Sequence, residues 1–158
     1  MKRLFLLAIC CMMGLANIHA QEPKLSAEAL SFRSQIENYL KTEGYVPTID
    51  TSDNTVNFKK EGLAYWLSVE DGDPFYIEVH EEGFRMEDDR LGMLEACNHA
   101  NATIRCGKAF VNDTSVMFTT EFYCKTIDDF KKLFYDYLDV VNGVRDKTAE
   151  YYNERHKE

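Results

Sequence analysis

Residues 55–69 have the sequence TVNFKKEGLAYWLSV and decide the predicted fold of this chain. Polar and apolar side chains alternate on both sides of Glu61-Gly62, a dipeptide suited to a tight turn between antiparallel strands. Bulky side chains fall on both faces of the second strand, because Tyr65 and Trp66 are adjacent. Such a strand is expected near the centre of a sheet. The predicted strands of this hairpin are Thr55–Lys59 and Leu63–Val69.

Further strands and helices are predicted on both sides of the hairpin. Asp71-Gly72-Asp73-Pro74 ends the second strand, and the short connection to the next alternating run predicts antiparallel pairing. Ser26 is a candidate N-cap and Gly44 a candidate stop signal for a first helix over 26–43. The other predicted elements are a strand at 75–80, a helix from Asp88 to about Ala102, strands at 104–111 and 115–123, and a long helix after Thr126.

The last helix has the strongest pattern in the chain. Thr126 and Asp129 form a variant of the capping box, and apolar residues follow at helical spacing for about five turns. The full order is α-βββ-α-ββ-α, in which strands and helices are largely segregated. This order predicts an α+β fold with an antiparallel five-stranded sheet and helices on one face. We expect one domain over residues 21–158, with its core at about 26–152.

The N-terminus has the three parts of a cleavable secretory signal. Lys2 and Arg3 are followed by an uncharged apolar run, Leu4–Ala16, and then by a small residue, Ala20, at the expected cut. The apolar run is shorter than the ~20 residues that a membrane-spanning helix needs. We therefore predict that residues 1–20 are a signal peptide, that the mature chain begins at Gln21, and that it is periplasmic or extracellular.

The charge of the chain argues against two classes of partner. The formal net charge is −9, and removal of the two basic residues Lys2 and Arg3 with the signal makes it −11. A surface this negative repels nucleic acid and anionic lipid headgroups. We therefore predict no nucleic-acid partner and no membrane association after signal cleavage, whereas a cation or a basic partner remains compatible.

The sequence contains no familiar catalytic or cofactor-binding motif. A P-loop, a GxGxxG fingerprint, a GxSxG nucleophile motif and a CxxC pair are all absent. Three cysteines follow the predicted cleavage site, Cys97, Cys106 and Cys124, so at least one has no partner within the chain. Whether the other two form a disulfide stays open, with small core residues as the alternative. We predict a protein that is not an enzyme and uses no cofactor.

Acidic residues that follow His80 are candidates for a cation site. Glu81 and Glu82 precede Asp88 and Asp89 across a short segment, and carboxylate oxygens are suitable ligands for calcium or magnesium. The spacing is not that of an EF-hand, and runs of charge are usually solvated loops. A periplasmic protein that binds a small ligand or a divalent cation through acidic loops is therefore the alternative prediction.

Aromatic side chains on the predicted strands are candidates for a protein interface. Side chains alternate between the two faces of a strand, so Trp66 lies opposite Tyr65. Helices can cover only one face of the sheet. The aromatic residues expected on the other face are Trp66, Tyr76 and Tyr123. An exposed apolar patch of this kind usually marks an interface, with ordinary half-buried aromatic residues as the alternative.

Two segments and the last helix resemble the YbjN-like family, whose fold is that of the type III secretion chaperones. The segments are FKKEGLAY at 58–65 and LEACNHAN at 94–101. The resemblance covers about residues 26–152 and implies this fold, a tendency to homodimerise, and protein binding as the activity. It implies no reaction. Together with the signal peptide, it predicts an exported, non-enzymatic, chaperone-like or regulatory interaction module that forms a homodimer.

Overall fold

The computed structural model describes residues 25–85 and 89–155. The predicted signal peptide and its cleavage site lie outside the described residues, and so does Asp88. The helices are α1 (Ala27–Thr42), α2 (Arg90–Thr103) and α3 (Ile127–Arg155). The strands are β1 (Thr48–Asp50), β2 (Thr55–Lys60), β3 (Leu63–Glu70), β4 (Phe75–Arg85), β5 (Gly107–Val111) and β6 (Ser115–Cys124).

The strands form one antiparallel sheet in the order β1-β2-β3-β4-β6-β5. The predicted α+β class is confirmed. The prediction of five strands is wrong, because the sheet has six. The missed strand, β1, is only three residues long and follows Pro47, so it is too short to show an alternating pattern.

The hairpin at the start of the sheet follows from local backbone preferences. Glu61 and Gly62 have φ values of +54° and +87°, as a type I′ turn requires, and Lys60 faces Leu63 across the hairpin. Glycine accepts such a φ without a steric penalty. The turn therefore sets the register that places Trp66 opposite Asn57.

The strand after the hairpin, β4, is longer than the strand at 75–80 that the alternating pattern predicts. β4 continues past His80 to Arg85, with an irregular register between Glu82 and Arg85. The residues Glu81 and Glu82 are thus part of a strand and not of an acidic loop. The reason is that β6 supplies a long partner, which pairs with β4 from Phe75 to Glu82.

Side chains cap the helices at their N-termini. The Ser26 hydroxyl accepts a hydrogen bond from the Ala29 backbone N–H at 3.1 Å, and the Asp89 carboxylate accepts one from Gly92 at 2.8 Å. Thr126 Oγ1 accepts a hydrogen bond from the Asp129 backbone N–H at 3.2 Å. These bonds satisfy donors that the first turn of a helix leaves free.

The core lies between the sheet and the helices. Phe134 and Leu138 of α3 are fully buried, and the Phe134 ring lies 5.9 Å from that of Phe58 on β2. α3 also lies close to β5, because a Cβ added at Gly107 would clash with a methyl group of Val144. Within residues 25–85 and 89–155, no helix has both the length and the apolar character needed to cross a bilayer.

Candidate protein-binding face

One face of the sheet is covered by helices. The Tyr65 hydroxyl donates a hydrogen bond to Asn142 Oδ1 of α3 at 2.7 Å. The Phe122 ring of β6 stacks on Tyr137 of the same helix, with 3.7 Å between ring centroids. On α1, the ring of Phe32 stacks on Phe75 of β4 at 4.7 Å. These strand residues all belong to one alternating set, which therefore defines the covered face.

The other alternating set forms what we call the open face. On β3 and β4, it consists of Ala64, Trp66, Ser68, Glu70, Tyr76, Glu78, His80 and Glu82. On β5 and β6, it includes Lys108, Phe110, Met117, Thr119, Glu121 and Tyr123. Trp66, Tyr76 and Tyr123 therefore lie together on the face opposite the helices.

The three aromatic residues differ in their exposure. Trp66 is half-buried, because its ring stacks on the His80 ring with 5.1 Å between centroids and an angle of 8°. Tyr76 is also half-buried and lies 5.3 Å from the ring of Tyr123, at an angle of 54°. Tyr123 is 65% exposed. One ring face of Trp66 is thus already covered within the chain, and Tyr123 presents the largest exposed aromatic surface of the three.

Glu78 connects the two aromatic pairs. Its carboxylate accepts hydrogen bonds from Ser68 Oγ and from the Tyr76 hydroxyl, each at 3.3 Å. His80 Nε2 lies 3.3 Å from the same carboxylate. Burial and the nearby carboxylates of Glu121 and Glu78 raise the pKa of the Tyr76 hydroxyl, so it remains a hydrogen-bond donor at neutral pH.

Two depressions lie at opposite ends of this cluster. The first, of about 660 Å³, is lined by Trp66, Ala64, Asn57, Lys59 and Glu82 together with the loop residues Tyr45 and Val46, so it holds a cation as well as a carboxylate. The second, of about 540 Å³, is lined by Tyr76, Tyr123, Glu70 and Glu121 together with Asp71 and Pro74. Each depression therefore combines an aromatic ring with at least one carboxylate.

Of the residues proposed for a cation site, Asp88 lies outside the described residues, and the structure does not bring Glu81 and Glu82 together. Glu81 is buried on the covered face, where it pairs with Arg145 of α3, whereas Glu82 lies on the open face. Asp89 caps α2. Adjacent strand residues necessarily point to opposite faces, so Glu81 and Glu82 cannot bind one ion together. No group of three potential metal ligands occurs in the part of the chain that the structure describes.

The three cysteines in the described residues, Cys97, Cys106 and Cys124, are free thiols. Burial raises the pKa of the Cys97 thiol to about 11 and that of the Cys124 thiol to about 11. Both thiols are therefore protonated at neutral pH, and a protonated thiol is a poor nucleophile and a poor metal ligand. Cys106 is exposed.

Comparison with known proteins places this architecture in a family. The family model YbjN, described as "Putative bacterial sensory transduction regulator", matches residues 33–150. This chain belongs to the YbjN family. Its structure is similar to the crystal structure of YbjN from E. coli, described as "a putative transcription regulator", with a TM-score of 0.55 and 12% sequence identity. The match covers 74% of this chain and 91% of the other chain, and at this identity the likeness concerns the fold.

No curated protein matches the sequence of this YbjN-family chain. The function of the open face is therefore inferred from the residues of this chain and not from a curated relative. Sequence reasoning identified its three aromatic residues but not Glu78, Ser68 or His80, which complete the cluster. Strand alternation could have identified two of them, because Glu78 and His80 follow Tyr76 at intervals of two residues on one strand and so share its face.

Proposed function

We propose that this chain is a non-enzymatic protein-interaction module that binds a partner through the open face. One observation carries the proposal: Trp66, Tyr76 and Tyr123 are grouped on a sheet face on which none of the described helices packs. Tryptophan and tyrosine are frequent interface hot spots, because they bury a large apolar area and keep a polar group for hydrogen bonding.

Membership of the YbjN family supports an interaction role. The family is described as "Putative bacterial sensory transduction regulator", and the E. coli protein as "a putative transcription regulator". Both descriptions concern regulation and not a reaction. The sequence resemblance to the YbjN-like family, which implies the fold of the type III secretion chaperones, supports a chaperone-like or regulatory mode of binding for this chain.

Homodimerisation is a second part of the proposal. Leu91 and Leu94 on α2 are 63% and 44% exposed, and residues three apart on a helix lie on the same side. Exposed leucines next to one another commonly mark a surface that a second subunit covers. We expect Leu91→Ser with Leu94→Ser to shift the protein from dimer to monomer in light scattering. A variant that remains dimeric would place the dimer contact elsewhere.

Export is a third part of the proposal, and its support is the sequence pattern at residues 1–20. We expect N-terminal sequencing of protein recovered outside the cytoplasm to begin at Gln21. Exported protein that begins at Met1, or that carries a lipid on Cys10 or Cys11, would contradict a simple cleavable signal.

The binding proposal is tested by replacing Trp66 and Tyr76 together with serine. Neither side chain is fully buried, so we expect the variant to fold, as measured by circular dichroism and thermal denaturation, and to lose the partners that the wild-type protein co-purifies from its host. Tyr135→Ser is the matched control, because Tyr135 is a partly exposed tyrosine on α3.

Two outcomes would contradict the binding proposal. Unfolding of the double variant would show that both residues belong to the core. A folded variant with unchanged partners would place the interface elsewhere, with α2 as the next surface to test.

A further inference from the structure

We propose that the larger depression of the open face binds a small zwitterion, namely a free α-amino acid with an apolar side chain. The site is the depression of about 660 Å³ beside Trp66. This assignment places a small-molecule ligand at one end of the open face and so goes beyond the proposed function, which concerns a protein partner.

One lysine and one glutamate flank a small residue in this depression. Lys59 of β2 faces Ala64 of β3. Tyr65 faces Glu81 of β4, so the next position of this antiparallel pair places Ala64 beside Glu82. Lys59, Ala64 and Glu82 all line the depression. The lysine and the glutamate are therefore two strand spacings apart, about 10 Å, with only a methyl side chain between them.

These two charged groups are available to a ligand. Both side chains are exposed, and neither forms an ion pair or a hydrogen bond with a side chain that the structure describes. Among the described lining residues, Lys59 is the only lysine or arginine and Glu82 the only carboxylate. The neighbouring Lys60 points to the other face and pairs with Glu61. A ligand can thus pair with Lys59 and Glu82 without displacing an internal ion pair.

The surface between the two charges is apolar. Ala64 and Trp66 lie next to one another on the same face of β3, and Val46, in the loop before β1, is 87% exposed. The His80 ring stacks on Trp66 and holds the indole in place. An apolar group that lies between Val46 and Trp66 removes exposed apolar surface from water, which favours binding.

Together, these groups match the three parts of an apolar α-amino acid. Lys59 is complementary to its carboxylate, Glu82 to its ammonium, and the apolar surface to its side chain. Because the two charged groups of an α-amino acid are bonded to one carbon atom, a single molecule above Ala64 can contact both side chains. A chain terminus of a partner protein is a poorer occupant, since an N-terminus supplies only the ammonium and a C-terminus only the carboxylate.

The test uses L-phenylalanine as the probe and Trp66, the single tryptophan of the chain, as the fluorescent reporter. Matched probes are N-acetyl-L-phenylalanine, which has no ammonium, and L-phenylalaninamide, which has no carboxylate. We expect L-phenylalanine to change the fluorescence saturably and each matched probe to bind roughly tenfold more weakly. Equal binding of either matched probe would show that one charge suffices and would overturn the inference. The absence of binding in both fluorescence and isothermal titration calorimetry would overturn it as well.

Variants assign each charge of the ligand to one side chain. In Lys59→Met, we expect L-phenylalanine to bind roughly tenfold more weakly and no longer better than its amide. In Glu82→Gln, we expect a similar loss, with L-phenylalanine no longer better than its N-acetyl derivative. The controls, Lys132→Met and Glu70→Gln, make the same changes of charge at exposed positions on α3 and at the other end of the open face. Equal losses in the controls, or unchanged affinity in both site variants, would overturn the inference.

The failure of this site differs from the failure of the proposed function. If L-phenylalanine does not bind but replacement of Trp66 and Tyr76 abolishes co-purification, the ligand site is refuted and the protein-binding face stands. If L-phenylalanine binds as expected and the double replacement leaves the co-purified partners unchanged, the ligand site stands and the proposed function is refuted.

Discussion

Arg145 of α3 forms an ion pair with Glu81 beneath the centre of the sheet, with Nη1 of the arginine 3.2 Å from Oε1 of the glutamate. Glu81 is 1% exposed, and Arg145 also contacts the exposed carboxylate of Asp146 at 2.9 Å. Burial raises the pKa of Glu81, and the Arg145 guanidinium opposes that shift. The pair joins the C-terminal helix to β4, which also carries Tyr76, Glu78 and His80 of the open face.

We expect Arg145→Met to lower the free energy of unfolding by about 3–5 kcal/mol at neutral pH, because it leaves the buried Glu81 carboxylate without a counter-charge. Without the guanidinium, the pKa of Glu81 in the folded state rises further above its unfolded value. Below its unfolded pKa the carboxyl group is neutral in both states. As pH rises from the unfolded to the folded pKa, the unfolded state releases its proton first, so the folded state loses stability until the folded pKa is passed. The destabilisation should therefore be smaller near pH 5 than near pH 8.

Chemical denaturation at both pH values measures this effect. The control is the double variant Glu81→Gln with Arg145→Met, which removes the buried charge and should recover much of the lost stability. A double variant as unstable as Arg145→Met alone would show that packing by the arginine, and not charge, is the larger contribution.

The apolar stripe of α3 should contribute most of its stability through Phe134 and Leu138. Both side chains are fully buried against the sheet. We expect alanine at either position to lower the free energy of unfolding by about 2–5 kcal/mol, which is the usual range for loss of a large core side chain. Asp139→Ala, at an exposed position of the same helix, should change it by less than about 0.5 kcal/mol. Losses below about 0.5 kcal/mol at both core positions would contradict this packing.

Asn101 of α2 protects the outer edge of β5. Its Nδ2 donates a hydrogen bond to the Ala109 carbonyl at 3.0 Å, and its Oδ1 accepts one from the Ala109 backbone N–H at 2.7 Å. β5 is the last strand of the sheet, so the amide satisfies backbone groups that would otherwise invite pairing with another chain.

We expect Asn101→Ala to lower the free energy of unfolding by about 1–2 kcal/mol, because two partly buried backbone groups lose their partner. Asn98→Ala is the control, because Asn98 is exposed one turn earlier on the same helix, and its effect should stay within about 0.5 kcal/mol. Hydrogen exchange should show faster exchange of the Ala109 amide in the Asn101 variant. An unchanged exchange rate would mean that Asn101 does not protect this edge.

The sequence alone determined the features that depend on local geometry. Ser26 and Thr126 cap helices because each lies just before an amphipathic run, whereas Asp89, predicted within the second helix, is its N-cap. Strand alternation placed Trp66 on the face opposite Tyr65, since the pleat turns successive side chains to opposite sides over any stretch of strand. The short β1 was missed for the same reason, because three residues are too few to show a period.

Only the tertiary structure decided which distant segments become neighbours. β6, and not β5, lies beside β4, and this order brings Tyr123 next to Tyr76. It also decided that Glu81, one residue from Glu82 in sequence, would lie across the sheet from it and pair with Arg145. Alternation states which residues share a face of one strand, but not which strand comes next to it. The order of the strands in the sheet depends on how the whole core packs, and a local sequence pattern contains no information about that packing.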